Sequence, residues 1–147
     1  MAHARTAIRS AIVTALTGLT TTGTNVFGER AFPTDKLPCL QVITGDEPEI
    51  VESLNSSPIL ERHLHLLVRC IAKAKMPTLD ITLDNMLAEV EIALNSAGTL
   101  SNKVKDISAP KSIEYGGDDT LEQPVAIAQM TFEVIYFTKA GTPGTSI

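Results

Sequence analysis

The fold is decided by the stretch from Ile59 to Lys73, which reads ILERHLHLLVRCIAK. Apolar and polar side chains alternate along it, as in a β-strand with one buried face. The expected buried face consists of Leu60, Leu64, Leu66, Val68, Cys70 and Ala72. Arg62 interrupts this face, and we expect its side chain to be solvated near the start of the strand. At about 3.3 Å per residue the strand would extend roughly 45–50 Å. It must therefore bend around the core or protrude and pair with neighbours.

Two helices and four further strands are predicted around this stretch from apolar spacings of three to four residues and of two residues. The predicted helices are Ala4 to Leu16 and Thr78 to Asn95, and the further strands are Val26 to Arg30, Cys39 to Thr44, Ile107 to Tyr115 and Val125 to Thr138. The order is αβββαββ. Short connections favour a single α+β domain, with a mostly antiparallel or mixed sheet of about five strands and both helices packed on one face.

The length of 147 residues fits one domain with one core. We place this domain at residues 1–139 and predict that residues 140–147, rich in Gly, Pro and Thr, form a flexible tail. Gly116-Gly117-Asp118-Asp119 is predicted to be a turn between the last two strands.

The linker between the second and third strands is acidic. It carries four acids and no base, namely Asp46, Glu47, Glu49 and Glu52. Such a segment is expected to be a long exposed loop or a projecting hairpin arm. Its carboxylates are candidates for the charged edge of an assembly interface.

The second helix is predicted to be apolar on two faces. Its core stripe is centred on Leu79, Leu83 and Val90, and almost opposite lies a second stripe of Ile81, Asn85, Ala88 and Ile92. A helix with two apolar faces should be covered on both. Either the first helix or another subunit covers the second stripe.

Composition argues against several functional classes. The net charge is −5, whereas a free-standing DNA-binding module normally has a basic excess because it neutralises phosphates. Two cysteines, Cys39 and Cys70, are too few for a disulfide framework, so we expect reduced, buried thiols. No apolar run approaches the length of a membrane span, and we expect a soluble protein.

The most enzyme-like residues are His63 and His65, which point the same way from one strand and could hold a zinc ion. No neighbouring motif supplies the third and fourth ligands. Phosphate-binding glycine loops and a Gly-x-Ser-x-Gly elbow are also missing from the sequence. We therefore predict no catalytic residue, no metal site and no cofactor, and regard a small metal-dependent enzyme as a distant alternative.

Taken in order, the segments of the chain resemble the tail terminator (minor tail protein U-like) family of long-tailed bacteriophages. The resemblance covers nearly the whole chain and rests on the order of its pieces rather than on one motif. The pieces are Arg5-Thr6-Ala7-Ile8-Arg9 with Leu16-Thr17-Gly18-Leu19, Val26-Phe27, Ala31-Phe32-Pro33, Leu37-Pro38-Cys39-Leu40-Gln41-Val42 with Gly45-Asp46-Glu47, the strand Arg62 to Ala72, Leu79 to Asp84 with Glu89-Val90-Glu91, and Phe132-Glu133-Val134-Ile135-Tyr136.

This resemblance implies a virion structural protein, assembled in the host cytoplasm and placed at the boundary of tail tube and neck. The family forms a ring, usually of six subunits, that caps the tube and stops polymerisation of the major tail protein. Its implied partners are further copies of itself, the tube protein and the neck or head-completion protein, while DNA passes through the lumen without specific contact. A neck or head–tail connector, a tail-completion protein and an interaction module from an unrelated system are the alternatives.

Overall fold

The computed structural model describes residues 3–28, 37–53, 58–73, 78–100, 103–118 and 125–147. Two helices and eight strands lie within these ranges. In chain order they are α1 (Ala4–Leu16), β1 (Val26–Phe27), β2 (Cys39–Thr44), β3 (Glu49–Glu52), β4 (Ile59–Lys73), α2 (Leu79–Ala97), β5 (Asp106–Ile107), β6 (Ser112–Asp118), β7 (Val125–Lys139) and β8 (Thr142–Ser146). The predicted α+β class is confirmed.

Strands β4 and β7 form the centre of the single sheet. They are antiparallel and in register over 15 residue pairs, from Ile59 opposite Lys139 to Lys73 opposite Val125. Buried and partly exposed residues alternate from Leu64 to Cys70 in β4 and from Ala128 to Thr138 in β7, so the pairing brings the two apolar faces to the same side. The long strand predicted at residues 59–73 is confirmed with the same bounds.

The remaining strands divide between the two edges of this central pair. On the outer side of β4, β2 pairs with its second half and β3 with its first half, and β1 adds to β2 in parallel. On the outer side of β7, β6, β5 and β8 follow one another along its length. Strand β3 therefore lies on the opposite edge of the sheet from β5, β6 and β8.

Both helices pack on the same face of the sheet, as predicted. Helix α1 buries Ile8, Ile12 and Leu16 at a spacing of four residues, and the Nδ1 atom of His3 accepts a hydrogen bond from the Arg5 N–H at its start. Helix α2 contributes Leu83, Met86, Leu87, Val90 and Leu94. These side chains meet the even-numbered residues of β4 and β7 in one core cluster.

The other face of the sheet has only a small apolar cluster, formed by Cys39, Ile71 and Val125. Beyond that cluster, this face carries the polar row of β4 that includes His63 and His65, both partly exposed. Within the described residues, the helices leave this face uncovered.

Several details differ from the sequence prediction. The strand predicted at 107–115 is two strands, β5 and β6, and residues 116–118 continue β6 instead of turning, while Asp119 lies outside the described residues. The segment predicted as a flexible tail forms β8. The first predicted strand is present as Val26–Phe27, and residues 29–30 lie outside the described ranges. Helix α2 ends at Ala97, two residues later than predicted.

Candidate assembly surfaces

The second stripe of α2 is exposed in this structure. Ile81 and Ile92 are 64% and 67% exposed, and Asn85 and Ala88 between them are exposed as well. Helix α1 lies beside α2 but does not cover this stripe, so the first of the two explanations offered by the sequence is wrong. Single exposed isoleucines are common on protein surfaces, so the stripe becomes a candidate contact surface only together with further exposed apolar residues beside it.

The apolar surface continues from α2 onto strand β6. Ile113 and Tyr115 are 46% and 63% exposed, and the Tyr115 hydroxyl donates a hydrogen bond of 3.4 Å to the Asp84 carboxylate of α2. We call Ile81, Ile92, Ile113 and Tyr115 the helix–edge surface. The sequence prediction did not include the two β6 residues, although their spacing of two in a strand was the available signal.

A cavity of about 280 Å³ adjoins this surface. Its walls are Ile92 and its neighbours near the end of α2, residues 109–110 before β6, and Phe132 of β7. A second cavity of about 590 Å³ lies between α1 and the segment after α2, and small side chains such as Ala7 and Ala11 line it. Lys103 and Glu91 are the charged residues in the two linings, so neither cavity collects a set of catalytic groups.

The acidic linker forms a hairpin arm, one of the two possibilities predicted. Strand β3 pairs with the first half of β4, and residues 46–52 are called the acidic arm below. Asp46 and Glu52 are exposed, and so are Ile50 and Val51, at 49% and 46%. The side chain of Glu49 lies outside the described residues. The arm therefore presents both charge and β-branched apolar surface at the β4 edge of the sheet.

Glu47, which the sequence grouped with the candidate interface acids, does not belong to this exposed set. Its side chain is only 7% exposed. The carboxylate lies 3.2 Å from the guanidinium of Arg62, accepts a hydrogen bond from the Tyr136 hydroxyl, and lies 3.9 Å from Arg5. Burial of a carboxylate requires such partners, because an unpaired buried charge is strongly unfavourable.

The same contacts correct the expectation for Arg62. Its side chain is 13% exposed rather than solvated. Besides Glu47, its Nε donates to the Thr138 hydroxyl at 3.0 Å, and its Nη1 is 3.2 Å from Nε2 of His3. Burial and the Arg62 charge lower the pKa of His3. This polar cluster fixes the start of α1 to the root of the acidic arm.

His63 is held between two carboxylates on the uncovered face of the sheet. Its Nδ1 is 2.8 Å from Glu133 and its Nε2 is 2.9 Å from Glu61. The hydrogen bond from His63 lowers the pKa of Glu133. Because ionised carboxylates only accept hydrogen bonds, both contacts are satisfied when both ring nitrogens carry protons.

Among the described residues, no three His, Cys, Asp or Glu side chains are grouped so that they could hold a metal ion. His63 and His65 do lie on one face of β4, as predicted.

Both cysteines are buried core residues, as predicted. Cys39 and Cys70 have no exposed surface and are free thiols. Burial raises the pKa of Cys39 to about 11 and that of Cys70 to about 12. Since the thiolate is the reactive form, these side chains are chemically inert near neutral pH.

No helix in the described ranges is long and apolar enough to cross a membrane.

Comparison with known proteins gives similarities among solved structures only. No protein-family model matches the chain, and no curated protein matches it. Among solved structures, a chain of the "Virion of native gene transfer agent (GTA) particle" is similar over 90% of both chains, with 17% sequence identity and a TM-score of 0.40. A similarity of this size assigns neither an activity nor a partner to the present chain.

Proposed function

We propose that this chain is a virion structural protein, a tail terminator whose copies form a ring at the end of the tail tube. The ring stops polymerisation of the tube and joins it to the head–neck complex. The proposal starts from the ordered sequence resemblance described above. The structural observation that carries it is the presence of two exposed apolar surfaces on opposite edges of one sheet, the acidic arm and the helix–edge surface.

A ring that caps a tube needs several separate contact surfaces, and the acidic arm and the helix–edge surface are two of them. In a ring, each subunit contacts its neighbours through two different patches, because the head-to-tail interface is not self-complementary. A ring that also caps a tube needs a further surface for the tube or the neck. Ile81, Asn85, Ala88 and Ile92 on α2, with Asp46 and Glu52 on the arm, are the residues that we assign to these subunit or tube contacts.

The charge of the chain is compatible with a channel for DNA. The net charge is −5, and a lumen without a basic excess would not retain phosphates as DNA slides through it. Only 4% of the residues are aromatic, so the chain offers few side chains on which bases could stack. DNA is therefore assigned to non-specific passage rather than to binding.

Ring formation is tested by light scattering coupled to size exclusion, over a range of protein concentrations and with added magnesium. A discrete species of about 94 kDa, six times the chain mass of 15.7 kDa, is expected. Magnesium is included because it screens repulsion between acidic subunits. A monomer at every concentration up to the millimolar range contradicts the ring.

Capping is tested with the major tube protein encoded by the same genome. Electron microscopy of tubes polymerised with and without the chain should show rings at tube ends and shorter tubes when the chain is present. Rings that form but ignore tube ends, and instead bind the neck or head-completion protein, would establish the connector alternative in place of the terminator.

A further inference from the structure

The acidic arm and the helix–edge surface are unsuited to contact each other in adjacent copies. Helix α2 contains four acids and no base, and Asp80, Asp84 and Glu91 are exposed beside its outer stripe. The arm is also acidic, with Asp46 and Glu52 exposed. Like charges brought together at an interface are strongly unfavourable. The arm must therefore meet a different surface of its neighbour.

The opposite edge of the sheet offers a basic surface. Lys103 and Lys105 precede β5, and Lys139 ends β7. Lys105 and Lys139 are exposed and Lys103 is partly exposed, while Asp106, directly after Lys105, is an exposed acid on the same edge. We call these three lysines the lysine edge. Among ion pairs between described residues, none involves the three lysines, Asp46 or Glu52.

The acidic arm and the lysine edge lie at the same position along the strand direction of the sheet. Glu49 of β3 pairs with His63 of β4, which pairs with Ile135 of β7. Ile135 in turn pairs with Asp106 of β5. One residue row thus crosses the sheet from the arm to β5, and the backbone N–H of Lys105 donates to the same Ile135.

A second row has the same arrangement. Glu52 pairs with Leu60, which pairs with Thr138 of β7. Thr138 pairs with Ser146 of β8. Rotation of one copy about an axis parallel to the strands brings its β3 beside the β5–β8 edge of the next copy, without a slide along the strand direction.

We propose that the acidic arm of one copy packs against the lysine edge of the next copy, so that the sheet continues from subunit to subunit. This inference rests on the proposed ring and specifies its interface. Asp46 and Glu52 face Lys105 and Lys139, and exposed Ile50 and Val51 become covered. An edge strand with exposed β-branched residues is a ready site for such an addition. The helix–edge surface then stays available for a partner other than a ring neighbour.

Charge reversal tests this contact. One variant carries Asp46→Lys and Glu52→Lys, and a second carries Lys105→Glu and Lys139→Glu. All four side chains are exposed, so both variants should fold, as checked by circular dichroism. Each variant alone should associate at least tenfold more weakly than the unchanged chain. A control with Asp80→Lys and Glu91→Lys, which makes the same change in net charge on α2, should keep the ring mass.

Mixing the two variants is the decisive step. Each arm then finds an edge of opposite charge only on the other variant, so the mixture should restore a ring in which the two alternate. A variant with the neutral substitutions Asp46→Asn and Glu52→Gln should weaken association less than charge reversal does. It also replaces the variant with Asp46→Lys and Glu52→Lys in this test if that variant fails to fold.

The outcomes separate the two proposals. Reversal variants that keep the ring, or that become monomers without rescue on mixing, overturn this contact and leave the ring itself standing. A chain without substitutions that is a monomer throughout contradicts the ring and, with it, this interface.

Discussion

Glu47 and Arg62 form a buried ion pair, with Oε2 of the carboxylate 3.2 Å from Nη1 of the guanidinium. The acid comes from a linker in which Asp46 and Glu52 are exposed, and the base comes from the otherwise apolar face of β4. Tyr136, directly opposite Arg62 on β7, donates its hydroxyl to the same carboxylate. Burial and Glu47 raise the pKa of Tyr136 accordingly. The pair joins the arm to the core.

Replacement of Glu47 should therefore destabilise the fold. In Glu47→Ala, Arg62 and the Tyr136 hydroxyl lose their acceptor while remaining largely buried, and removal of one partner of a buried pair costs about 3–5 kcal/mol. Urea unfolding followed by circular dichroism measures this loss. The matched control is Asp46→Ala, the exposed neighbour, for which we expect a change within about 0.5 kcal/mol. Equal stability of the two variants would show that the buried pair is not formed.

The helix–edge surface should be dispensable for folding and for the ring. Ile81→Asp with Ile92→Asp changes two side chains that are at least 64% exposed, so the melting temperature should stay close to that of the unchanged chain. We expect an unchanged ring mass and at least tenfold weaker binding to tube ends, measured by counting capped ends in electron micrographs. Thr6→Asp with Ser10→Asp, on the exposed side of α1, is the control that should retain capping. Collapse of the ring to monomers in the isoleucine variant would contradict this assignment.

The two cysteines should be protected from thiol reagents in the folded chain. With pKa values of about 11 for Cys39 and about 12 for Cys70, little thiolate exists at pH 8, and both side chains are buried. A disulfide-exchange reagent should react slowly with the native protein and rapidly with two thiols after denaturation. Ser10→Cys, an exposed position, provides a fast-reacting control. Because these pKa values are raised, the associated stability is present below pH 9 and is lost as the pH rises through 11 to 12.

His63 should control the ionisation of Glu133. The hydrogen bond from His63 is the largest cause of the lowered pKa of Glu133, so His63→Gln should move that pKa back toward 4.5, as followed by NMR of the carboxyl carbon. Since the folded pKa is depressed, the stabilisation is present above pH 4.5 and is lost as the pH falls through the lowered value. His65→Gln is the control, because His65 contributes least to the shift. An identical Glu133 titration in all three proteins would refute the pairing.

The parts of the fold that the sequence predicted well are those with local periodicity. Helix α1, β2 and β4 have the predicted bounds, because each carries its own apolar spacing of four or two residues. The second apolar stripe of α2 also follows from the helical repeat alone, and its coverage by another subunit stays a prediction. Its extension by Ile113 and Tyr115 depends on tertiary packing.

The missed elements depend on pairing with distant segments. Gly116 and Gly117 have low strand propensity, yet they pair with Ile127 and Ala126 because β7 offers an open edge beside them. Strand β8 forms in the same way. From the sequence alone, Glu47 could not be distinguished from the other acids of the linker. Its partners Arg62 and Tyr136 lie 15 and 89 residues away, so no local pattern marks it as buried. A base within the apolar face of β4 was the one local sign that a buried acid had to exist.

The central position of β7 has a consequence for biosynthesis. Strand β7 pairs with β4 along its full length and also pairs with β5, β6 and β8. It begins only at Val125 and is therefore synthesised after most of its partners. Until it leaves the ribosome, β4 is a 15-residue edge with an apolar face, the kind of segment that aggregates with other nascent chains. A high proportion of such distant contacts also slows folding. Newly made chains should therefore be most prone to aggregation before residues 125–139 emerge and the two long strands come together.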